Sequence, residues 1–121
     1  MKKLFLDDLR IPKDAIGLVP SNLNQFYWTN DWDVVINYDE FVSHITKNGL
    51  PDFVSFDHDL ADEHYIGNET NEKTGFECAK WLVDFCLDNG SQIPNFIVHS
   101  ANPVGKKNIE SYLSNAQKHL F

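Results

Sequence analysis

Three short apolar runs of this 121-residue chain each end directly in charged or polar residues. The run LFL precedes Asp7 and Asp8, FVSF precedes Asp57, and NFIV precedes His99 and Ser100. A short uninterrupted apolar run is typical of a parallel-sheet strand that is covered on both faces. Ligands bind at the carboxyl ends of the strands in such sheets. The three runs therefore predict one polar edge that can bind a ligand.

Helical patterns lie between these runs and indicate the fold class. We predict four strands, at Lys3–Asp7, Asp33–Asn37, Phe53–Phe56 and Phe96–Val98. We predict three helices, from Asp39 as N-cap to Gly49, from a capping box at Thr74 and Glu77 to Asn89-Gly90, and from Gly105 towards Leu120. Alternating strands and helices imply right-handed crossovers. The sequence predicts a single α/β domain over residues 1–121, with a shortened doubly wound, parallel four-stranded sheet of order 2-1-3-4 flanked by helices.

Two segments have no regular pattern. The stretch between the first two strands contains Pro12, Gly17 and Pro20, and we expect a short helix or a flap there. Its aromatic side chains predict that it packs against the sheet: Phe26, Tyr27, Trp28 and Trp32. Residues 58–73 form a polar, acidic loop that includes His64, and we expect this loop to lie over the site.

Charge and composition narrow the class of ligand. Eighteen acidic and ten basic residues give a formal charge of −8, which argues against broad binding of a nucleic-acid backbone. A small phosphorylated molecule or nucleotide remains a candidate ligand, because one bound cation reverses the sign of the local charge. The sequence lacks a signal peptide and the ~18 apolar residues of a membrane span, so we expect a cytoplasmic location and no membrane contact. Cys78 and Cys86 are expected to be buried, reduced side chains.

The acids at the strand ends predict a divalent metal site. Asp7 and Asp8 are adjacent, so both can bind one ion only where the strand gives way to a loop. Asp57 ends the third strand, and Asp59, two residues later, would face the same side of an extended chain. Because Mg²⁺ and Mn²⁺ prefer oxygen ligands, we predict that Asp7, Asp8, Asp57 and Asp59 hold Mg²⁺ or Mn²⁺. The alternative for the first pair is that one acid caps the following turn.

Residues beside the acids suit a phosphate group. Arg10 is the only arginine, and Ser100 follows the third run. The Asn-Pro-x-Gly sequence then opens a helix whose free amides can bind an anion. We therefore predict a phosphate site that contains Arg10, Ser100, Asn102, Gly105 and Lys106. An exposed ion pair for Arg10 and a solvated helix face for Lys106 are the alternatives.

Three residues are candidates for the chemistry itself. Asp57 can act as a nucleophile or as a metal ligand. His58 and His99 can transfer protons, since an unperturbed imidazole has a pKa of ~6.5. For His58 the alternative is a simple pairing with an acid. If His99 transfers a proton, His99→Ala should slow turnover with little effect on metal affinity.

The motifs LFLDDLRIP, FDHDL, Thr74-Gly75 and HSANPVGKKNI together resemble the cyclic-phosphate processing receiver family, an enzymatic offshoot of response-regulator receivers. The resemblance extends over nearly the whole chain. It implies that Asp7 and Asp8 are metal acids, that Asp57 stands at the phosphoacceptor position, and that Ser100-Ala101 is the receiver's hydroxyl–small pair. It also implies a bacterial or phage source.

The chain departs from receivers in two places. It ends after the fourth strand and its helix, without the fifth-strand lysine, and an irregular segment replaces the first helix. We therefore expect a divalent-metal-dependent phosphoesterase that processes a cyclic or terminal phosphate of a nucleotide or RNA end. Attack by water and attack by Asp57 are both open. The alternatives are a signalling module phosphorylated on Asp57 and a non-catalytic domain that binds a metal, a cyclic nucleotide or a protein.

Overall fold

The computed structural model describes residues 2–29, 31–60 and 73–120. Within these residues the chain forms four strands, β1 (Lys3–Leu6), β2 (Trp32–Val35), β3 (Phe53–Phe56) and β4 (Asn95–Val98). It also forms three α-helices, α1 (Tyr38–Asn48), α2 (Gly75–Asn89) and α3 (Pro103–Leu120). Two 3-10 helices, Pro12–Leu18 and Ser21–Tyr27, lie between β1 and β2. Most of the loop that we expect over the site, with His64, lies outside the described residues.

The four strands form one parallel sheet in the order β2-β1-β3-β4, which confirms the predicted order. The register pairs Leu6 with Phe56, and Phe56 with Val98. Backbone hydrogen bonds continue one residue further, because the amides of Asp57 and His99 each donate to the neighbouring strand at 2.9 Å. This register therefore aligns the first residues beyond β1, β3 and β4 in a row along the carboxyl edge.

Different elements cover the two faces of the sheet. Side chains alternate along a strand, so Leu4 and Leu6 of β1 face one side and Phe5 faces the other. The three α-helices cover the Leu4 side, where the larger hydrophobic core lies. The two 3-10 helices cover the Phe5 side. The smaller core on that side is mainly aromatic and contains Phe5, Ala15, Tyr27, Trp32, Phe53 and Ile97.

The segment without a regular pattern is therefore a packed pair of 3-10 helices. Pro12 begins the first helix and Pro20 precedes the second, in agreement with the fit of proline to the start of a helix. The expected packing of its aromatic residues is confirmed for Phe26, Tyr27 and Trp32. It is wrong for Trp28, whose side chain is 66% exposed.

Polar contacts move some element boundaries from their predicted positions. β2 ends at Val35 and not at Asn37, because the Ile36 amide donates to the Glu40 carboxylate at 3.1 Å. Asn37 is the N-cap of α1 in place of Asp39, and its side chain accepts from the Glu40 amide at 2.9 Å. The chain therefore leaves the sheet two residues earlier than predicted.

The start of α2 also differs from the prediction. Thr74 is the N-cap, but its side chain makes no capping hydrogen bond, so the predicted capping box does not form. Gly49 and Gly90 end α1 and α2 as predicted, with φ angles of 83° and 65°.

The two cysteines are free and buried, as predicted. Burial raises the pKa of the Cys86 thiol to about 11 and raises that of Cys78 as well. Both thiols therefore stay protonated and pack as small apolar groups. In the described part of the chain, no helix combines the length and the apolar character that crossing a membrane requires.

Gly75 allows α2 to begin directly against the end of β3. Its amide donates to the His58 carbonyl at 2.7 Å. A Cβ atom at this position would lie 1.8 Å from the carbonyl oxygen of Asp57, a distance that backbone atoms cannot tolerate. The Thr74-Gly75 motif thus has a packing role that holds the residues after β3 in place.

We expect Gly75→Ala to lower the free energy of unfolding by about 2 kcal/mol or more, because the added methyl group must displace backbone atoms. Urea unfolding followed by tryptophan fluorescence measures this loss. Gly17→Ala is the matched control, since a Cβ atom added at Gly17 would meet no atom of the described residues within 4 Å. Equal stabilities of the two variants would contradict the proposed close contact.

Candidate functional site

Three of the predicted metal acids come together at the carboxyl edge of the sheet. Asp7, Asp8 and Asp57 each offer an oxygen, and these oxygens lie within 4.8 Å of one another. Asp7 and Asp57 are only 1% and 0% exposed. Like charges at this separation repel, and a bound cation relieves the repulsion. A donor set of carboxylate oxygens fits a hard divalent ion.

The fourth predicted metal ligand, Asp59, is not part of the three-acid group found among the described residues. One of its oxygens lies 2.9 Å from His58 Nδ1. The Asn102 side-chain amide donates to both Asp59 oxygens at 3.4 Å. The structure thus places Asp59 in a carboxylate–histidine dyad, next in the sequence to Asp57 of the three-acid group. This is the acid pairing that the alternative interpretation of His58 expected.

The predicted phosphate amide at Gly105 has a different use. Asn102 Oδ1 accepts from the Gly105 amide at 3.0 Å and so caps the first turn of α3. A Cβ atom on Gly105 would lie 2.3 Å from His58 Cγ, so this glycine makes room for the imidazole ring. Asn102 and Gly105 therefore position the dyad. Lys106 follows on the same turn with a partly exposed side chain.

Ser100 and Arg10 flank the acids. Ser100 Oγ accepts from the Asn102 amide at 3.0 Å, and its hydroxyl hydrogen can still be donated. Arg10 Nη1 lies 3.4 Å from Asp7 Oδ2 and 3.7 Å from Asp57 Oδ2. Because the Arg10 side chain is only 24% exposed, this contact is not the exposed ion pair of the alternative interpretation.

Asp7 also caps the turn after β1, as the alternative for the first acid pair expected. Its Oδ1 accepts from the backbone amides of Leu9 and Arg10, both at 2.9 Å. This Asx-type turn brings the Arg10 side chain back towards the acids. Capping the turn and membership in the acid group are thus compatible roles for Asp7.

His99 occupies a different position from the one that proton transfer to a substrate requires. It is fully buried, and its Nε2 lies 3.0 Å from Asp7 Oδ2. Its Nδ1 lies 2.6 Å from Ser55 Oγ, which in turn lies 2.7 Å from the Tyr27 hydroxyl. The Phe5 ring stacks on the imidazole at 4.4 Å. His99 therefore contacts the acid group from the core.

The surroundings of Asp7, His99 and Tyr27 determine the protonation state of each side chain. Burial acts to raise the pKa of Asp7, but the hydrogen bond from His99 and those from two backbone amides outweigh it and lower this pKa. Burial lowers the pKa of His99 despite the neighbouring carboxylate. Burial also raises the pKa of Tyr27 to about 12. An ionised Asp7, a neutral His99 and a protonated Tyr27 follow.

Ser55 and Tyr27 are not among the site residues predicted from the sequence, although both contribute to this buried hydrogen-bonded chain. Ser55 is the one polar residue of the FVSF run, and a polar side chain inside a buried strand needs a partner. That requirement was a detectable signal. Tyr27 could be expected to pack, but its partner Ser55 is 28 residues away and only the tertiary structure brings the two together.

Stability should depend on pH through His99. Its folded pKa lies below the unfolded value of about 6.5, so the unfolded chain binds more protons below that pH. Stability is therefore lost as the pH falls below about 6.5, by at most ~1.4 kcal/mol per pH unit from this group. Urea unfolding of metal-free protein between pH 7.5 and 5 should show a flatter profile for His99→Gln than for wild type.

His119→Gln is the control for this measurement, because His119 is exposed near the end of α3. We expect its profile to run parallel to that of wild type. A parallel profile for His99→Gln would contradict the assignment of a buried, neutral His99.

Comparison with known proteins agrees with this geometry. The family model of the cyclic-phosphate processing Receiver domain matches residues 2–115. No curated protein matches the chain. A solved fusion protein that carries a yeast Spc42 trimeric coiled-coil segment is 18% identical, with a TM-score of 0.50 over 92% of this chain. The chain spans 62% of that structure's length, and the likeness concerns the fold alone.

A response regulator receiver domain protein (CheY-like) from Methanospirillum hungatei JF-1 is 16% identical, with a TM-score of 0.45 over 97% of this chain and 76% of its own length. The family match is the stronger finding, because it includes every strand and every residue of the site described above. This chain therefore belongs to the cyclic-phosphate processing receiver domain family.

Proposed function

We propose that this protein is a divalent-metal-dependent phosphoesterase that hydrolyses a cyclic or terminal phosphate of a nucleotide or RNA end. One observation carries the proposal. Asp57 belongs to the three-acid group, and the next two residues, His58 and Asp59, form a carboxylate–histidine dyad. An acid that could hold a metal and a histidine that could transfer a proton thus lie on consecutive residues at one strand end. Hydrolysis uses both, whereas metal binding alone needs no dyad.

In this proposal the three acids bind the metal, and the neighbouring residues Arg10 and Ser100 bind the phosphate. Mg²⁺ or Mn²⁺, held by Asp7, Asp8 and Asp57, would polarise the phosphate and lower the pKa of a bound water. Arg10, already beside two of these acids, would bind a phosphate oxygen through its guanidinium group. Ser100 would donate its hydroxyl hydrogen to another phosphate oxygen.

The reaction requires two proton transfers. In hydrolysis of a cyclic phosphodiester, a water oxygen bonds to phosphorus, the phosphorus–oxygen bond to one ribose oxygen breaks, and its electron pair stays on that oxygen. One proton leaves the water and one reaches the ribose oxygen, so water is the only other reactant. We assign both proton transfers to His58 Nε2, because the other ring nitrogen, Nδ1, pairs with Asp59. The Asp59 carboxylate orients the ring through this contact.

The charge of the chain supports a small ligand. With a formal charge of −8, the protein repels a long phosphate backbone. A single phosphate beside a bound cation experiences the opposite local sign. We therefore propose a phosphorylated small molecule or nucleotide as the partner, or the end of an RNA without extended backbone contact.

Metal binding should stabilise the wild-type protein. At a Mn²⁺ or Mg²⁺ concentration 100 times the Kd, a ligand that binds only the folded state adds ~2.7 kcal/mol, which raises Tm by several degrees. Asp57→Asn removes one ligand charge with little change of shape, so the metal-induced rise should be largely lost. Thermal unfolding with and without the metal measures both effects.

The matched control is Asp84→Asn, which removes the same charge from an exposed position of α2. Its metal-induced rise in Tm should equal that of wild type. A rise of the same size in Asp57→Asn would show that the metal binds elsewhere.

Turnover should depend on His58. We expect His58→Gln to lower kcat by ~100-fold or more while the Mn²⁺ affinity stays unchanged, because the ring transfers protons and does not hold the metal. The substrates to test are 2′,3′-cyclic nucleotides, 3′,5′-cyclic nucleotides and terminal phosphomonoesters, with release of the product followed by chromatography.

His44→Gln is the control for His58→Gln, since His44 lies on α1 and pairs with Asp33 away from the site. Its kcat should equal that of wild type. Unchanged kcat in His58→Gln would remove this residue from the mechanism. Binding of the cyclic nucleotides without any turnover would favour a non-catalytic binding domain.

A phosphoacceptor module is the second candidate, because Asp57 combines a strand-end position with two neighbouring acids. The same assay mixture distinguishes it. After incubation with a small phosphodonor and Mg²⁺, a stable mass gain of one phosphate that is absent from Asp57→Asn would favour signalling over hydrolysis. Release of free phosphate without a lasting mass gain would favour the phosphoesterase.

A further inference from the structure

The hydrogen-bonded chain behind Asp7 consists of Tyr27, Ser55 and His99, and we call it the buried relay. The proposed reaction assigns no step to it. We propose that the buried relay is a positioning unit that fixes the orientation of Asp7 as a metal ligand, and that it thereby couples the packing of the second 3-10 helix to metal affinity. This inference rests on the proposed function in one respect, namely that Asp7 binds the metal.

The hydrogen bonds of the buried relay are all donated in one direction, from Tyr27 towards Asp7. An ionised carboxylate only accepts hydrogen bonds, so His99 Nε2 carries the proton that it shares with Asp7. In a neutral imidazole Nδ1 then accepts, and the Ser55 hydroxyl must donate to it. The Ser55 oxygen in turn accepts from the Tyr27 hydroxyl. Each group therefore specifies the proton position of the next, and loss of one donor removes that constraint.

The surrounding rings hold the relay in place. The Phe5 ring is parallel to the His99 imidazole to within 5° at a separation of 4.4 Å. Tyr27 stacks on Trp32 at 5.5 Å and meets the edge of Phe5 at 6.3 Å. Tyr27, Ser55 and His99 are each 0% exposed. Close packing of this kind leaves the side chains few alternative rotamers.

The relay determines what Asp7 can offer to a cation. Both backbone amides of the following turn bind Oδ1, and His99 binds Oδ2. The longest contact of the carboxylate is that of Oδ2 with Arg10 Nη1, at 3.4 Å. If Asp7 holds a cation, the Arg10 guanidinium group would compete with that cation for Asp7, since both are positive. Partners outside the metal's own ligands commonly set ligand orientation and metal affinity.

Tyr27 connects the buried relay to the second 3-10 helix. Tyr27 is the last residue of the second 3-10 helix, within the segment that stands in place of a receiver's first helix. Its hydroxyl lies at the far end of the relay from the acid group. Removal of this one oxygen atom should therefore change metal binding by Asp7, although Ser55 and His99 lie between Tyr27 and Asp7 in the relay.

The test compares metal affinity in the full-length chain. Ser55→Ala removes the donor to His99 Nδ1 and should weaken Mn²⁺ binding about 10-fold. Tyr27→Phe removes only a hydroxyl group and should cause a smaller loss in the same direction. Tyr112→Phe is the matched control, because it removes a phenol hydroxyl from α3 where the ring packs on Phe76. Its Mn²⁺ affinity, measured by calorimetry, should equal that of wild type.

A second measurement needs no metal and keeps the two proposals apart. Long-range ¹H–¹⁵N NMR of metal-free protein should show the His99 ring protonated on Nε2 in wild type, and a mixture of tautomers in Ser55→Ala. Wild-type Mn²⁺ affinity in both Ser55→Ala and Tyr27→Phe would overturn the inference, even if the variants unfold more easily. If wild type binds no Mn²⁺, the proposed function fails, and the tautomer measurement alone decides whether the relay exists.

Discussion

Three carboxylates lie within 4.8 Å of one another at one sheet edge, and their mutual repulsion must be offset by the residues around them. Asp7 and Asp57 are almost inaccessible to water, so solvent screens their charges poorly. The surrounding residues compensate with hydrogen-bond donors. Two backbone amides and His99 donate hydrogen bonds to Asp7, and Arg10 lies beside both Asp7 and Asp57. The site therefore keeps its charge and remains suited to a cation.

Two glycines shape the space beside these acids. Gly75 brings the start of α2 against the backbone of Asp57, and Gly105 makes room for the His58 ring at the start of α3. Both contacts concern residues that directly follow β3. The acid group and the carboxylate–histidine dyad thus stay adjacent because two helices can begin unusually close to one strand end.

The two histidines of the strand ends have opposite relations to solvent. His58 is partly exposed and pairs with Asp59, whereas His99 is buried and supports Asp7. Both are polar residues that follow an apolar run, but His99 aligns with Asp57 and His58 lies one residue further, so alternation directs their side chains to opposite faces of the sheet. Their difference comes from what covers each face of the sheet. The core beneath the 3-10 helices encloses His99, so its imidazole contacts Asp7 and Ser55 and is not exposed to solvent.

The sequence alone predicted the strand order, the parallel sheet and the three acids that come together at its edge, because local apolar periodicity and strand-end position encode them. It did not determine partners that are distant along the chain. Tyr27 with Ser55, Ser55 with His99, and Asp59 with Asn102 are separated by 28, 44 and 43 residues. Hydrogen bonding between side chains requires distances within a few tenths of an ångström. Only tertiary packing sets such distances, so which polar residues remain partly exposed at the sheet edge and which are buried behind the acids followed from the tertiary structure.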